Sequence, residues 1–132
     1  MTRQRFEPDD PREWLNRARS SLAQAKANVP GVYFEDLCFN AQQAAEKAVK
    51  AVLLAAGIEF PYVHDLARLL DLLQENGRDV PEPVRLAHSL TRFAVITRYP
   101  WTEPVGEDEY QKAIGIAEAV VQWAEDQIGG SG

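Results

Sequence analysis

The chain of 132 residues is sized for one domain, and its 45% hydrophobic content can bury a core without covalent staples. Cys38 stands alone, which excludes an intramolecular disulfide and argues against a structural zinc site; a net charge of −6 disfavours non-specific attraction to nucleic-acid phosphates as the main mode of action. The opening stretch has no apolar segment of the secretory kind, and no apolar run nears the roughly 20 residues of a membrane span, so the expectation is a cytoplasmic protein without membrane contact.

Residues 1–9 are polar, carry Pro8 and read as a flexible arm. Pro11 suits the first turn of a helix capped by Asp9 or Asp10, and Trp14, Ala18, Leu22, Ala25 and Val29 recur at helical spacing up to Pro30-Gly31. The next run, Phe34 to Ala56, is long and alanine-rich. Leu37, Ala41, Ala44, Ala45, Ala48, Val49, Val52 and Leu53 cover a broad face before Gly57 ends it. So wide a face marks the central helix of a bundle, and its small side chains let neighbours approach closely.

Asp65 caps a short third helix with the stripe Leu66, Leu69, Leu70 and Leu73, closed by Asn76-Gly77. Pro81 and Pro83 open a fourth, in which Val84, Ala87, Leu90 and Ala94 keep the helical period to Thr97 or Arg98; Pro100 then turns Tyr99 out of helical geometry. Glu107, Asp108 and Glu109 sit at the positive end of a last helix that buries Tyr110, Ala113, Ile114, Ala117, Val121, Ala124 and Ile128. No strand-like alternation competes. The sequence therefore predicts an all-α, antiparallel helical bundle of about five helices with up-and-down connections. The domain spans residues 10–128, between the arm at 1–9 and a flexible tail at 129–132.

Several places invite a functional reading. Arg3 with Arg5, and Arg92 with Arg98, leave room for a small anion pocket within the acidic whole. On the second helix Asp36, Asn40, Gln43 and Lys47 share one strip opposite the apolar face. The amides of Asn40 and Gln43 suit base-edge hydrogen bonding, while the plainer alternative is a solvated helix face. His64 packs or hydrogen-bonds locally beside the cap Asp65. The only other histidine is His88, so no metal-ligand spacing exists, and neither a metal nor a cofactor is expected. Cys38 reads as a small buried side chain, and no glycine-rich phosphate loop or activated nucleophile is present. Arg98-Tyr99-Pro100-Trp101 joins a guanidinium to aromatic rings at a helix end. It holds a phosphate while a base stacks on Tyr99 or Trp101, or it satisfies helix carbonyls and seals a corner.

Taken together, "YFEDLCFNAQQAAEKAVKAVLLAAG" at Tyr33 to Gly57, "HDLARLL" at His64 to Leu70, "TRYP" at Thr97 to Pro100 and the closing alanine-rich helix resemble the HEPN domain family. The resemblance implies an antiparallel helical bundle, a homodimer, and pairing with a minimal nucleotidyltransferase in a toxin-antitoxin-like system. Many members of the family are metal-independent endoribonucleases whose signature is an arginine followed, four to six residues on, by a histidine. Arg98 matches the arginine, but Tyr99, Pro100, Trp101, Thr102, Glu103, Pro104 and Val105 follow it, and no histidine occurs after His88. The leading expectation is thus a binding and interaction module for a nucleotide or RNA phosphate, with Arg98, Tyr99, Asn40, Gln43 and Lys47 as ligand-binding residues. The alternative is a ribonuclease of altered chemistry, with Arg98 stabilising charge and Glu103, Asp108 or a cross-dimer His88 handling protons.

Overall fold

The computed structural model describes residues 3–96 and 103–129. Helix α1 (Pro11–Lys26) starts where Asp10 accepts a 2.8 Å hydrogen bond from the Arg12 amide and Pro11 occupies the first turn. It buries Leu15, Ala18 and Ala25. The helix ends a turn earlier than the apolar spacing predicts: the Ala27 amide closes back on Gln24 at 3.1 Å, and Val29 is left 52% exposed. Val29 precedes Pro30, whose ring disfavours helical geometry in the residue before it.

Helix α2 (Phe34–Ala55) is the centre of the bundle, in contact with every larger element around it. All eight predicted core positions are buried, from Leu37 to Leu53. Gly57 ends the helix at φ 72°, with the Ile58 amide reaching back to the Leu53 carbonyl at 2.9 Å. Helix α3 (Leu66–Glu75) is capped by Asp65, which accepts from the Ala67 amide at 3.1 Å, and buries Leu66, Leu69, Leu70 and Leu73 as expected.

The fourth predicted helix is instead broken in three: α4 (Glu82–Arg85), a 3₁₀ segment (Leu86–Leu90) and α5 (Phe93–Ile96). The Ser89 hydroxyl donates to the Leu86 carbonyl at 2.7 Å, competing for the acceptor that an α-helix would give to an amide one turn on. Val84, Ala87, Leu90 and Phe93 are all buried, and their strict three-residue spacing is the 3₁₀ period.

Helix α6 (Glu107–Gly129) packs on α2 and α1. It buries the expected stripe from Tyr110 to Ala124 and, in addition, Val120 and Trp123, whereas Ile128, expected to be buried, is only half-buried near the helix end. The Tyr110 hydroxyl donates to the Ala25 carbonyl at 2.8 Å, and its ring stacks on Phe34 with centroids 5.1 Å apart. Lys26–Glu118 at 2.8 Å and Arg19–Glu125 at 3.0 Å link α1 to α6 at the surface. The described residues thus form an all-α bundle, with α2 sandwiched and its alanines Ala41, Ala44, Ala45, Ala48 and Ala51 giving close helix contacts.

The start of the domain is more ordered than a loose arm. Residues 3–10 carry no helix, but the Phe6 amide and Arg5 Nε bond the Glu13 carboxylate at 3.0 and 2.8 Å. Asn16 Nδ2 donates to the Gln4 carbonyl at 2.7 Å, and Arg3 donates to the Asn16 carbonyl at 3.0 Å. Glu13 is 1% exposed. A buried carboxylate requires such donors, which is why this stretch is held against α1.

Candidate functional site

The expected polar strip on α2 divides once neighbours are added. Asp36 is exposed, whereas Asn40, Gln43 and Lys47 are half-buried. Lys47 leans toward α1 and donates to the Ser21 hydroxyl at 3.0 Å. Burial, followed by the nearby Arg17 guanidinium, holds its pKa below the usual lysine range. Gln43 donates to Gln42 Oε1 at 2.7 Å. Of the strip, Lys47 is thus tied to α1 across a seam, while Gln43 is held to the buried Gln42 of its own helix.

Behind Gln43 lies a network that the sequence reading missed. Gln42 is fully buried, and its amide donates to Glu46 Oε1 at 2.8 Å. Glu46, 5% exposed, also accepts from Lys50 Nζ at 2.9 Å and lies 2.8 Å from His64 Nδ1. Burial pushes the Glu46 carboxyl up, but the hydrogen bonds from Lys50, Gln42 and His64 outweigh it, and the net pKa lies below the ordinary glutamate value. Glu46 is thus ionised at neutral pH and can only accept. The proton between the pair belongs to His64 Nδ1, which in the neutral ring leaves Nε2 as a free acceptor. The His64 side chain is 59% exposed, so an oriented imidazole faces solvent from a buried carboxylate. His64 was expected to pack or bond locally; its partner is on α2, while Asp65 caps α3 together with the Thr91 hydroxyl, which accepts from the Leu66 amide at 3.1 Å. The legible signal was the i, i+4, i+8 row Gln42, Glu46, Lys50, flanking the alanine face.

Arg98 and Tyr99 lie outside the described residues, as do Pro100 and Trp101. Their described flanks run along α2: Phe93 and Ala94 are buried, and the Val105 amide donates to Glu35 Oε1 at 2.9 Å. Arg92 pairs with Glu109 through its guanidinium, which also lies 4.3 Å from the Phe93 ring centroid; Arg98, with which it was expected to form a basic pair, is outside the described residues. Glu103 and Asp108 are exposed, and His88 is exposed on the 3₁₀ segment. Cys38 is fully buried, and burial pushes its thiol up to about 12, so it offers no nucleophile. Among the described residues no group of His, Cys, Asp and Glu side chains is arranged to hold a metal, and no helix is long and apolar enough to cross a membrane.

The HEPN domain family model matches residues 11–127 of the chain. No curated protein matches it. Similar solved structures include TT1696 from Thermus thermophilus, at 34% identity and a TM-score of 0.75, covering 89% of this chain and 97% of that one. ST0689, described as an archaeal HEPN homologue, is 28% identical with a TM-score of 0.71, covering 90% of this chain and 98% of its own.

Proposed function

The chain belongs to the HEPN domain family, and from that premise we propose that it is a binding and interaction module for a nucleotide or RNA phosphate, homodimeric and paired with a minimal nucleotidyltransferase. Arg98 and Tyr99 contact the ligand in this reading, with Asn40, Gln43 and Lys47 lining the same groove. The observation that carries it is the α1–α2 seam. In a protein of net charge −6, Lys47 is half-buried in that seam, where it donates to the Ser21 hydroxyl at 3.0 Å; burial and the Arg17 guanidinium outweigh the Glu46 carboxylate that offsets its charge, so a further anion is favoured there. Binding is favoured over cleavage because the residues after Arg98 supply no histidine to complete the family's ribonuclease signature.

The Glu46–His64 pair favours a second reading, a metal-independent endoribonuclease that recruits its proton acceptor from outside the usual motif. His64 Nε2 would take the proton of a ribose 2′-hydroxyl as that oxygen bonds to phosphorus. The P–O5′ bond would break, and the departing oxygen would be protonated by the imidazolium or by water. Incubating a mixed RNA pool with the purified protein in excess EDTA separates the two readings. Intact RNA, with calorimetric binding of nucleotide or RNA lost in Arg98→Ala, is the result expected of the module. Cleavage abolished by both Arg98→Ala and His64→Ala selects the nuclease. A chain that neither binds nor cleaves, and does not co-purify with a co-expressed minimal nucleotidyltransferase, refutes both.

A further inference from the structure

The N-terminal stretch and α1 enclose a cavity of about 340 Å³ lined by Arg3, Arg5, Glu13, Asn16, Arg17 and Ser20. Three guanidinium groups face one carboxylate there. Glu13 is consumed as a structural acceptor: Arg5 and the Phe6 amide bond it, and Arg17 Nε lies 3.7 Å from it, beyond hydrogen-bonding distance. Each guanidinium has five N–H donors. Arg3 uses one on the Asn16 carbonyl, Arg5 directs Nε and one terminal nitrogen at Glu13, and Arg17 remains 57% exposed. The net charge of this set is positive in an acidic protein, and its cationic field reaches Lys47 through Arg17.

The geometry points to a phosphate-binding pocket formed by Arg3, Arg5, Arg17 and Ser20 that takes a phosphate group of a single-stranded RNA backbone. The buried Glu13 fixes the arm, so the guanidinium forks are arranged before the anion arrives, and Ser20 has a hydroxyl proton to donate. Because Arg17 lines the pocket and its charge is felt at Lys47, a strand seated on Lys47 has its next cationic partner in the pocket. The choice of RNA as ligand rests on the binding function proposed above; the anion pocket itself does not.

The test has two arms, both on the full 132-residue chain. In the first, arginine Nε–Hε signals are followed by ¹⁵N NMR during titration with inorganic phosphate. Arg3, Arg5 and Arg17 should shift on one saturable curve, while Arg68 and Arg85, paired with Glu75 and Asp71, do not. In the second, anisotropy of a labelled RNA 12-mer is measured for wild type, Arg17→Gln, Arg3→Gln and Arg98→Ala. Each pocket variant should weaken RNA roughly fivefold and lower the salt slope by about one, the signature of a lost phosphate contact. Linear drift of all arginines alike in phosphate overturns the pocket, whatever RNA does. A saturable phosphate response with no RNA bound by wild type keeps the pocket and removes the RNA function. RNA binding that falls in Arg98→Ala and is untouched in both pocket variants leaves that function standing and overturns this inference.

Discussion

Replacing Glu46 by alanine tests the buried network most severely. Lys50 is 7% exposed, and Glu46 is its ionic partner. Breaking a buried ion pair from one side costs about 3 to 5 kcal/mol, because the remaining charge is stranded away from water. With a urea slope of about 2 kcal/mol/M for a domain of this size, the unfolding midpoint should fall by about 1.5 to 2.5 M. Removing both charges as Glu46→Leu with Lys50→Met should recover much of the loss. Recovery is incomplete, since the fully buried Gln42 amide loses its acceptor at about 1 to 3 kcal/mol. Trp14 and Trp123 provide the fluorescence signal, read at fixed protein concentration so that any self-association is held constant. The pKa of Glu46 is depressed, so its contribution is complete above the ordinary glutamate value of about 4.3 and is lost as pH falls through the lowered one. The gap between wild type and Glu46→Ala should therefore close on acidification. A single-variant cost under about 1 kcal/mol, or a double variant as unstable as the two singles summed, would refute a desolvated pair.

Acid should also release the N-terminal stretch. Hydrogen bonds from Arg5, the Phe6 amide and Asn16 hold Glu13 down at about 2, so the anchoring it provides is intact above its ordinary value of about 4.3 and decays toward pH 2. The Glu13 carboxyl ¹³C shift and the Phe6 amide should titrate together; a midpoint at the ordinary value contradicts the docked arm. Cys38 should resist a disulfide-exchange reagent at pH 8 until the protein unfolds globally, and rapid labelling of the native chain would show that its helix face opens. Gly57→Ala and Gly77→Ala should each cost about 1 to 2 kcal/mol in urea unfolding, all of it conformational, since both glycines have positive φ and an added methyl meets nothing within 4 Å. A neutral result would mean that the helix ends rearrange.

Most of the fold is legible in the apolar spacing. The α2 face, the leucine stripe of α3 and the two glycine stops are written in residue types with one physical use each, and the structure finds them where the sequence puts them. The two misplacements share a cause: a pattern read with the wrong period or carried past a local competitor. Val29 keeps helical spacing, but its neighbour Pro30 governs its backbone. Val84, Ala87, Leu90 and Phe93 repeat every three residues, and choosing Ala94 in place of Phe93 made them look like an α-helix.

The polar sites were harder to read because charge was equated with exposure. Gln42, Glu46 and Lys50 are ordinary surface residues by type, and only the width of the alanine face shows that the positions flanking it must also be covered. Once covered, a glutamate needs donors. Lys50 is available one turn on; the remaining donors come from Gln42 and from His64, which the Asp65 cap of α3 carries back to the helix. Glu13 follows the same logic with Arg5 and the Phe6 amide. In both places a buried carboxylate orders a segment that sequence alone leaves loose. The by-product is an exposed side chain held in one orientation, the imidazole of His64 in one case and the guanidinium cluster around Arg17 in the other. Structural burial and ligand recognition are therefore coupled here: a substitution at Glu46 or Glu13 should alter what its oriented neighbour binds without touching the ligand itself. Glu13→Gln, which keeps the shape and removes the charge, should raise phosphate affinity at Arg17 if the Phe6 amide shift shows the arm still docked and lower it if the arm is released; an affinity equal to wild type in either state would show that the two are uncoupled.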